Sequence, residues 1–332
     1  MKSGHFALLV VVVLALAVGP IFLTGVPLPT AAQAFWESSV GEPRGWVVTL
    51  RELSPLLIAG VAVLLALRAG LFNIGAEGQM LVGAVAAAAV ALAIPNPIGG
   101  LLAALAGMAA GAIWAFPAGW IKAYRGGHEV ITTIMLNQIA ARFTAWLVKN
   151  PMKDTEQLAD TTPRLAEAAQ WTPLISFGRA HVTWAIPIGF ALALALWYWL
   201  RNRVAGYELQ AVGANPTAAQ VAGVDVRRVT TGAMSASGAL AGLAGALIVL
   251  ADQGRFYENI TAGRGFDALG VALLAGGNPL AVVPTAVLFA ALNAGTSGMG
   301  LEGIPKGLSG LILGGLILIV GSLRTKAKES HD

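Results

Sequence analysis

The chain has 332 residues, of which 56% are hydrophobic and only 11% are charged, with a formal net charge of +4 and no cysteine. Soluble domains carry about 25% charged residues, so this chain has too few to cover a water-facing surface, and the composition predicts a protein that crosses a membrane several times. The absence of cysteine excludes disulfides, thiolate metal sites and a thiol nucleophile. The basic residues lie mainly in short loops between apolar runs, which membrane topology explains better than nucleic-acid binding.

Ten apolar segments follow one another and predict an all-α, polytopic bundle with about ten membrane spans, some of them short or broken. The segments are 6–28, 52–68, 78–94, 98–120, 128–148, 182–200, 229–251, 265–277, 279–298 and 306–323. The second and eighth are shorter than the roughly 20 residues that a span needs. The first is longer than the apolar core of a signal peptide, so we interpret it as an uncleaved helix, although Ala32-Gln33-Ala34 would suit cleavage.

The distribution of Lys and Arg predicts that both ends of the chain lie in the cytoplasm. The excess of basic residues inside is weak over the whole chain, but the short inner loops are rich in them. This orientation makes 149–181 a periplasmic loop and 201–228 a cytoplasmic loop. Neither is large enough to form a soluble core, so residues 1–332 are predicted to be one transmembrane domain with its core at 50–323.

Glycine pairs spaced four apart predict close packing between helices, because small residues let two backbones approach. The pairs are Gly107 and Gly111, Gly238 and Gly242, and Gly310 and Gly314.

A polar, glycine-rich stretch, GLFNIGAEGQ at residues 70–79, separates the second and third segments. Irregular backbone at membrane depth is tolerated only where it is buried in protein or lines a watery cavity, and transporters build binding sites from such breaks. We therefore predict that Asn73, Glu77 and Gln79 line a path for a solute rich in hydroxyl or amide groups. The alternative is an ordinary turn at the membrane surface, with Arg68 and Glu77 in water.

Two more polar stretches point to the same path. Thr133 and Asn137, four residues apart in the fifth segment, share a helix face and are predicted to point into the bundle or a pore. Hydrogen bonding between helices is the alternative. Asp267 lies near the start of the eighth segment, and the second and eighth segments, both short and interrupted by glycine, lie one in each half of the chain. That pairing predicts a central site between related halves.

A short helix is predicted in the stretch RNRVAGYELQAVGANPTAAQVAGVDVRRVT, 201–230, between the sixth and seventh segments. Asn215 suits the cap and Pro216 the first helical position, the helix that follows is rich in alanine, and Gly223 suits its end. A short exposed helix with small side chains fits a groove on a partner protein. A plain amphipathic connector is the alternative.

Sequence motifs for catalysis are missing. The chain has no Gly-x-x-x-x-Gly-Lys-Ser/Thr loop to hold nucleotide phosphates, and its four histidines are scattered. We therefore expect no catalytic residue, metal site or cofactor in this chain.

Three stretches resemble the permease subunits of ATP-binding-cassette (ABC) importers for simple sugars, branched-chain amino acids and nucleosides. These stretches are GYELQAVGANPTAAQVAGVDVRRV, GLFNIGAEGQMLVGA and EVITTIMLNQIA, and the last two are most similar to the nucleoside and simple-sugar branch. The resemblance covers about residues 50 to 323. It implies a pore-forming helical subunit of a bacterial inner membrane. Its solute would be a nucleoside first, a simple sugar second and a branched-chain amino acid third.

The same resemblance implies the partners. Separate ATPase subunits would bind ATP and Mg and seat a coupling helix formed by Gly213, Ala214, Asn215, Pro216, Ala218, Ala219, Ala222 and Gly223. An extracytoplasmic protein would deliver the solute, and a second, different permease chain would complete the pore within the lipid. The path residues would be Asn73, Glu77, Gln79, Thr133, Asn137 and Asp267. The alternative from another class is an ion-coupled secondary transporter, whose candidate carboxylates are Glu77, Glu129 and Asp267.

Overall fold

In the computed structural model, which describes residues 19, 21–22, 24–177, 180–305, 307 and 311, helices account for most of the chain. They are α1 (Leu28–Trp36), α2 (Pro43–Arg68), α3 (Ala76–Ala93), α4 (Pro97–Arg125), α5 (Glu129–Lys149), α6 (Ala185–Asn202), α7 (Val204–Ala214), α8 (Pro216–Val221), α9 (Val226–Leu247), α10 (Arg264–Ala275) and α11 (Val282–Met299). Shorter 3₁₀ or π turns occupy Glu37–Gly41, Glu167–Ala169, Ile248–Gln253, Pro279–Ala281 and Gly300–Glu302. Strands β1 (Ile175–Phe177) and β2 (Ala180–Val182) form a small two-stranded sheet.

Most predicted segments within the described chain match a helix to within a few residues, but the second does not. Its apolar run begins at residue 52, whereas α2 begins at Pro43 and is 26 residues long. The prediction of a short second segment is wrong, because the more polar first turns of α2 continue the helix beyond the apolar run. Helix α10, with 12 residues, is short as predicted. Of the two segments whose shortness predicted a central site between related halves, only the eighth is short.

Five helical stretches in the described part of the chain are long and apolar enough to cross a membrane: Pro43–Arg68, Ala76–Ala93, Pro97–Arg125, Val226–Gln253 and Pro279–Glu302. The predicted first and last segments, 6–28 and 306–323, lie largely outside the described residues, as does the Gly310 and Gly314 pair.

The described chain divides into two compact units. The first comprises the described residues within 1–53, 177–180 and 287–332. A small buried apolar cluster within it is formed by Ile21, Ala31, Met299 and Ile304. In the same unit the Thr49 hydroxyl donates to the Ser39 carbonyl oxygen at 2.7 Å, which satisfies a carbonyl in the π turn after α1.

The second unit comprises residues 54–176 and 181–286, and helices α3, α4 and α9 pack closely at its centre. The two described glycine pairs face each other there, on α4 and α9. A Cβ added to Gly111 would overlap the carbonyl oxygen of Gly238, and one added to Gly242 would overlap that of Gly107. The prediction of close packing at these pairs is confirmed, since the two backbones meet without intervening side chains.

The stretch predicted as a periplasmic loop, 149–181, is held against the segment that follows α9. The backbone N–H of Leu165 donates to the Gly254 carbonyl oxygen at 2.8 Å, and that of Trp171 donates to the Leu250 carbonyl oxygen at 2.9 Å. Within the loop Lys153 Nζ lies 2.9 Å from Asp160 Oδ1. This hydrogen bond lowers the pKa of Asp160. These backbone hydrogen bonds tie the loop to the segment that follows α9.

Candidate functional site

The predicted break lies between α2 and α3, at residues 69–75. Helix α2 ends because Gly70 adopts a left-handed conformation, with φ of +74°. The N–H of Gly70 donates to the Leu67 carbonyl and that of Leu71 to the Ala66 carbonyl, both at 3.0 Å. This is a Schellman motif, in which the last carbonyls of a helix are satisfied by the chain that leaves it.

Asn73 and Gln79 form a reciprocal amide pair across the break. Asn73 Nδ2 donates to Gln79 Oε1 and Gln79 Nε2 donates to Asn73 Oδ1, each at 2.9 Å. Asn73 Nδ2 also donates to Ser237 Oγ of α9 at 2.8 Å, and Ser237 donates in turn to the Ala62 carbonyl of α2 at 2.6 Å. The pair is buried, so these bonds replace the water that the amides would otherwise bind. Through them, the break is tied to α2, α3 and α9.

Asn137 ties α5 to the same break. Its Nδ2 donates to the Ile74 carbonyl at 2.8 Å, and its Oδ1 accepts from the Gly78 N–H at 2.9 Å. A Cβ on Gly78 would lie 2.8 Å from that Oδ1, so the contact requires glycine. One side chain therefore satisfies a donor and an acceptor that the broken helix leaves without helical partners.

Glu77, in the first turn of α3, is buried with only 5% of its surface exposed. Its Oε1 accepts from the Thr261 hydroxyl at 2.5 Å and from the Gly263 N–H at 3.0 Å, while Oε2 accepts from the Gly265 N–H at 2.7 Å. The carboxylate thus caps the N-terminus of α10, where the helix dipole favours negative charge. The alternative of a solvated turn at the membrane surface is wrong for Glu77, because that alternative requires the carboxylate in water.

The other two predicted path residues lie on the helices that meet the break. Thr133 of α5 is fully buried, and its hydroxyl donates to the Glu129 carbonyl one turn earlier at 2.8 Å. Asp267 lies in the first turn of α10 and is half-buried. The structure therefore brings Asn73, Glu77, Gln79 and Asn137 together around one break, with Thr133 and Asp267 on adjoining helices.

The predicted short helix is present as α8. The side chain of Asn215 caps it, accepting from the Ala218 N–H at 3.0 Å, and Pro216 is its first residue. After the last helical turn, Gly223 adopts a left-handed conformation with φ of +88°. Helix α7, which precedes α8 within the predicted loop, was not expected from the sequence. Its Gln210 accepts a hydrogen bond from Arg68 at the end of α2.

A family model described as a branched-chain amino acid transport system permease component matches residues 47–321. The chain belongs to this family. The guanosine ABC transporter permease protein NupP of Bacillus subtilis is 36% identical over 95% of this chain and 92% of its own length. The glucose permease protein TsgB13 of Haloferax volcanii is 32% identical over 93% of this chain and 85% of its own. The nucleoside permease protein NupB of Lactococcus lactis is 31% identical over 85% of this chain and 80% of its own length. No solved structure matches the chain.

This permease is accordingly a multi-pass membrane protein and the transport subunit of an ABC transporter rather than an enzyme. The family resemblance read from the three sequence stretches is confirmed.

The predicted coupling residues of the permease differ in accessibility. The exposed ones are Ala214, Asn215, Pro216, Ala218, Ala222 and Gly223, whereas Ala219 is only 4% exposed and Gly213 is half-buried. A Cβ on Gly213 would lie 2.9 Å from the Gly70 backbone nitrogen and would overlap the Arg68 carbonyl oxygen. Gly213 and Ala219 therefore pack inside the permease, and only the other six residues present a surface.

The network around the break is completed by Ser237, Thr261 and Gly265. None of these three residues was predicted from the sequence to belong to the site. Ser237 is a single hydroxyl in a helix of small residues, which looks like ordinary helix packing. Thr261 and Gly265 lie far along the chain from Glu77, at separations of 184 and 188 residues. The glycines flanking Arg264 were the only local signal, since they mark a place where backbone approaches another group closely.

Proposed function

We propose that the permease imports a nucleoside as one of two permease chains in a bacterial ABC importer. Two of the three relatives described above are named for guanosine or nucleoside transport, and the relative of highest identity among them is a guanosine permease. The third is named for glucose, so a simple sugar is the second candidate solute.

The topology we propose has ten spans, with both chain ends in the cytoplasm of a bacterium and one transmembrane domain whose core is 50–323. Five spans are supported by length and composition. Helix α5, with 21 residues, is long enough to be a further span, and α6, with 18 residues, is close to the length that a span needs. The short α10 would be a partial span, and segments 6–28 and 306–323 would supply the rest.

For coupling, we propose that the exposed side of α8 seats on an ATPase subunit that carries ATP and Mg. The support is the combination of a capped helix, small side chains and an exposed outer surface. A conformational change of the ATPase would reach the spans through α7, since Gln210 on that helix is hydrogen-bonded to Arg68 at the end of α2. The break between α2 and α3 follows directly after Arg68.

The coupling proposal is tested by placing bulk on the outer side of α8. We expect Ala218→Trp or Ala222→Trp to reduce co-purification of the ATPase and solute uptake together. Ala166→Trp, at an exposed alanine in the 149–181 loop, is the matched control for added bulk and should leave co-purification of the ATPase unchanged. Normal ATPase binding and uptake in both α8 variants would refute docking at α8. Gly213 and Ala219 are unsuitable positions, because bulk there would disturb the packing of the permease itself.

We propose that the six path residues act chiefly as a gate. Asn73, Glu77, Gln79 and Asn137 already have partners within the chain, so direct contact with a solute would require them to exchange those partners. An interaction can drive transport only if it differs between two states. We propose that the network opens when the transporter changes state, and that Thr133 and Asp267 move with their helices.

The remaining partners are a second permease chain and an extracytoplasmic solute-binding protein. A heterodimer is supported by a second guanosine permease protein of Bacillus subtilis, NupQ. This protein is 24% identical to the present chain over 73% of the present chain's length. That organism thus has two distinct permease proteins named for one solute, and this chain is more similar to NupP.

The deciding experiment is uptake by the reconstituted transporter. The permease is co-expressed with its partner permease and ATPase, placed in vesicles with the solute-binding protein, and given radiolabelled guanosine, glucose or leucine with and without ATP. We expect ATP-dependent uptake of guanosine. Uptake of glucose or leucine alone would overturn the nucleoside assignment, and uptake driven by an ion gradient without the ATPase would overturn the ABC mechanism.

A further inference from the structure

An open cleft lies between α6, α7 and α9, and its volume is about 1080 Å³. We call it the α6–α9 cleft. The residues that line its apolar part include Leu192 and Leu196 of α6, Leu209 of α7, and Ala233, Ala236 and Leu240 of α9. The hydrogen bonds around the break between α2 and α3 involve none of these side chains. The cleft is therefore separate from the network that we propose as a gate.

One end of the cleft is charged. The residues that line it there, between the end of α6 and the first turn of α9, are Arg203, Glu208, Asp225 and Arg228. In the described part of the chain, none of these four side chains belongs to an ion pair. The Asp225 carboxylate accepts one hydrogen bond, from the backbone N–H of Arg228 at 3.0 Å. Two guanidinium groups and two carboxylates therefore border one space without pairing across it.

The length of the cleft matches one leaflet of a bilayer. Arg228 and Leu240 both line the cleft from α9, and they lie about 18 Å apart along the helix axis at 1.5 Å per residue. Half of a hydrocarbon core is about 15 Å thick. Tyr198 and Trp199, near the end of α6, also line the cleft, and such rings are typical of the headgroup level of a membrane. The charged end therefore lies at the level of the headgroups and the apolar end among the acyl chains.

The two ends together restrict what fills the cleft. A cytoplasmic partner reaches only the charged end, and an apolar membrane helix offers no partner for the charged groups. A phospholipid supplies both parts, and basic pockets between membrane helices bind lipid headgroups. A phosphate accepts charge-assisted hydrogen bonds from guanidinium groups, whereas the two carboxylates require a cation with N–H donors. Phosphatidylethanolamine carries both groups, phosphatidylcholine has no N–H on its amine, and phosphatidylglycerol has no amine.

We propose that the α6–α9 cleft binds one molecule of phosphatidylethanolamine. Its phosphate contacts Arg203 and Arg228, and its ammonium group contacts Glu208 and Asp225. An acyl chain lies against the apolar walls. The proposal rests on the proposed topology only for the leaflet, which is the cytoplasmic one. It depends on neither the solute nor the direction of transport, so a failure of nucleoside import would overturn the proposed function and not this site.

The headgroup is tested on the assembled transporter. The complex is purified in mild detergent, stripped of lipid and titrated with phosphatidylethanolamine, phosphatidylcholine or phosphatidylglycerol of the same acyl chains. Native mass spectrometry then counts the bound lipids. We expect the first molecule of phosphatidylethanolamine to bind roughly tenfold more tightly than either of the others, because only this headgroup satisfies both kinds of charge in the cleft. Equal affinities for the three lipids would overturn the proposal.

Neighbouring arginines on α9 give a matched pair of variants. Arg228 lines the cleft, whereas the guanidinium of Arg227 lies over the Tyr124 ring of α4, 5.3 Å from the ring centroid. We expect Arg228→Gln to weaken binding of phosphatidylethanolamine roughly tenfold, the usual effect of losing a charged donor. Arg227→Gln should leave the affinity unchanged. Equal affinities in the two variants would overturn the phosphate contact.

The amine contact has a test of its own. We expect Glu208→Gln to lose most of the preference for phosphatidylethanolamine over phosphatidylcholine, because the amide has no charge to attract the ammonium group. Glu156→Gln, the same substitution at an exposed position in the 149–181 loop, should keep that preference. An unchanged preference in Glu208→Gln would overturn the ammonium contact.

Bulk at the apolar end tests the acyl chain. Ala236 lines the cleft, whereas Ala191 is an exposed alanine of α6 outside it. A lipid that binds only the folded permease raises its thermal-unfolding midpoint. We expect added phosphatidylethanolamine to raise the midpoint of Ala191→Phe as it does that of the unmodified transporter, and to leave that of Ala236→Phe unchanged. An equal rise in both variants would overturn the site. Loss of the second permease chain from Ala236→Phe would also overturn it, because a protein helix would then be the occupant of the cleft.

Discussion

The Gly265 N–H donates to Glu77 Oε2 at 2.7 Å, so a side chain from the start of α3 caps the start of α10. Gly265 has to be glycine, because a Cβ there would overlap the backbone of Glu77. A carboxylate between two helix N-termini is favoured by both dipoles. The first turn of α3, directly after the break, is therefore also the anchor of α10.

Replacing Glu77 tests that anchor. In Glu77→Gln the amide keeps the size of the side chain but places a donor where an N–H or hydroxyl already donates. We expect the free energy of unfolding to fall by about 2–3 kcal/mol, the usual cost of losing a charged acceptor and leaving a buried donor unsatisfied. The measurement is the thermal-unfolding midpoint of the purified transporter in detergent.

The control for this change is Glu258→Gln. Glu258 Oε2 pairs with Lys149 Nζ at 2.6 Å, but both side chains are more than 40% exposed, and exposed ion pairs contribute little to stability. A midpoint as high in Glu77→Gln as in Glu258→Gln would show that the cap contributes nothing.

The glycine contacts between α4 and α9 lead to a second prediction. In Gly238→Ala the new methyl group would lie against the Ala115 side chain and the Gly111 carbonyl oxygen. We expect the two helices to separate, at a cost of about 1–3 kcal/mol for an overpacked contact. Gly232→Ala, on the same helix but with nothing within 4 Å of the added methyl, should be neutral or slightly stabilising. Equal unfolding midpoints for the two variants would contradict backbone contact at Gly238.

A third prediction concerns the amide pair. Asn73 and Gln79 share two hydrogen bonds, so removing either side chain already removes both of them. The double variant Asn73→Ala with Gln79→Ala should therefore be less destabilised than the sum of the single variants. The expected coupling is about 0.5–3 kcal/mol, the range for residues in one network. Additive losses in a double-mutant cycle of unfolding free energies would mean that the two amides act independently.

The sequence patterns of helix capping predicted helix α8 well. Asn215, Pro216 and Gly223 specify the start and end of α8 within nine residues, because capping depends only on neighbouring backbone groups. The Gly pairs on α4 and α9 were likewise predictable, although the sequence did not say that they face each other.

Partners far apart in sequence were not predictable. Nothing near Glu77 indicates that its carboxylate accepts from Thr261 and Gly265, because that contact depends on how α3 and α10 pack. Composition also misled at α2, where polar residues in the first turns lowered the hydropathy without ending the helix. In α5 the four-residue spacing of Thr133 and Asn137 predicted that they share a helix face. Only the structure shows that this face is the buried one.

Helix α8 supports the last prediction, which links its cap to coupling. Asn215→Ala removes the acceptor of the Ala218 N–H and should destabilise the first turn by about 1 kcal/mol, whereas Asn215→Asp keeps an acceptor at the same place. If α8 transmits force from an ATPase, a frayed α8 should lower solute uptake per ATP hydrolysed while the unfolding midpoint of the permease changes little. Measuring uptake and ATP hydrolysis in the same vesicles gives that ratio, with Asn215→Asp as the control. An unchanged ratio in Asn215→Ala would mean that the capped turn of α8 has no part in coupling.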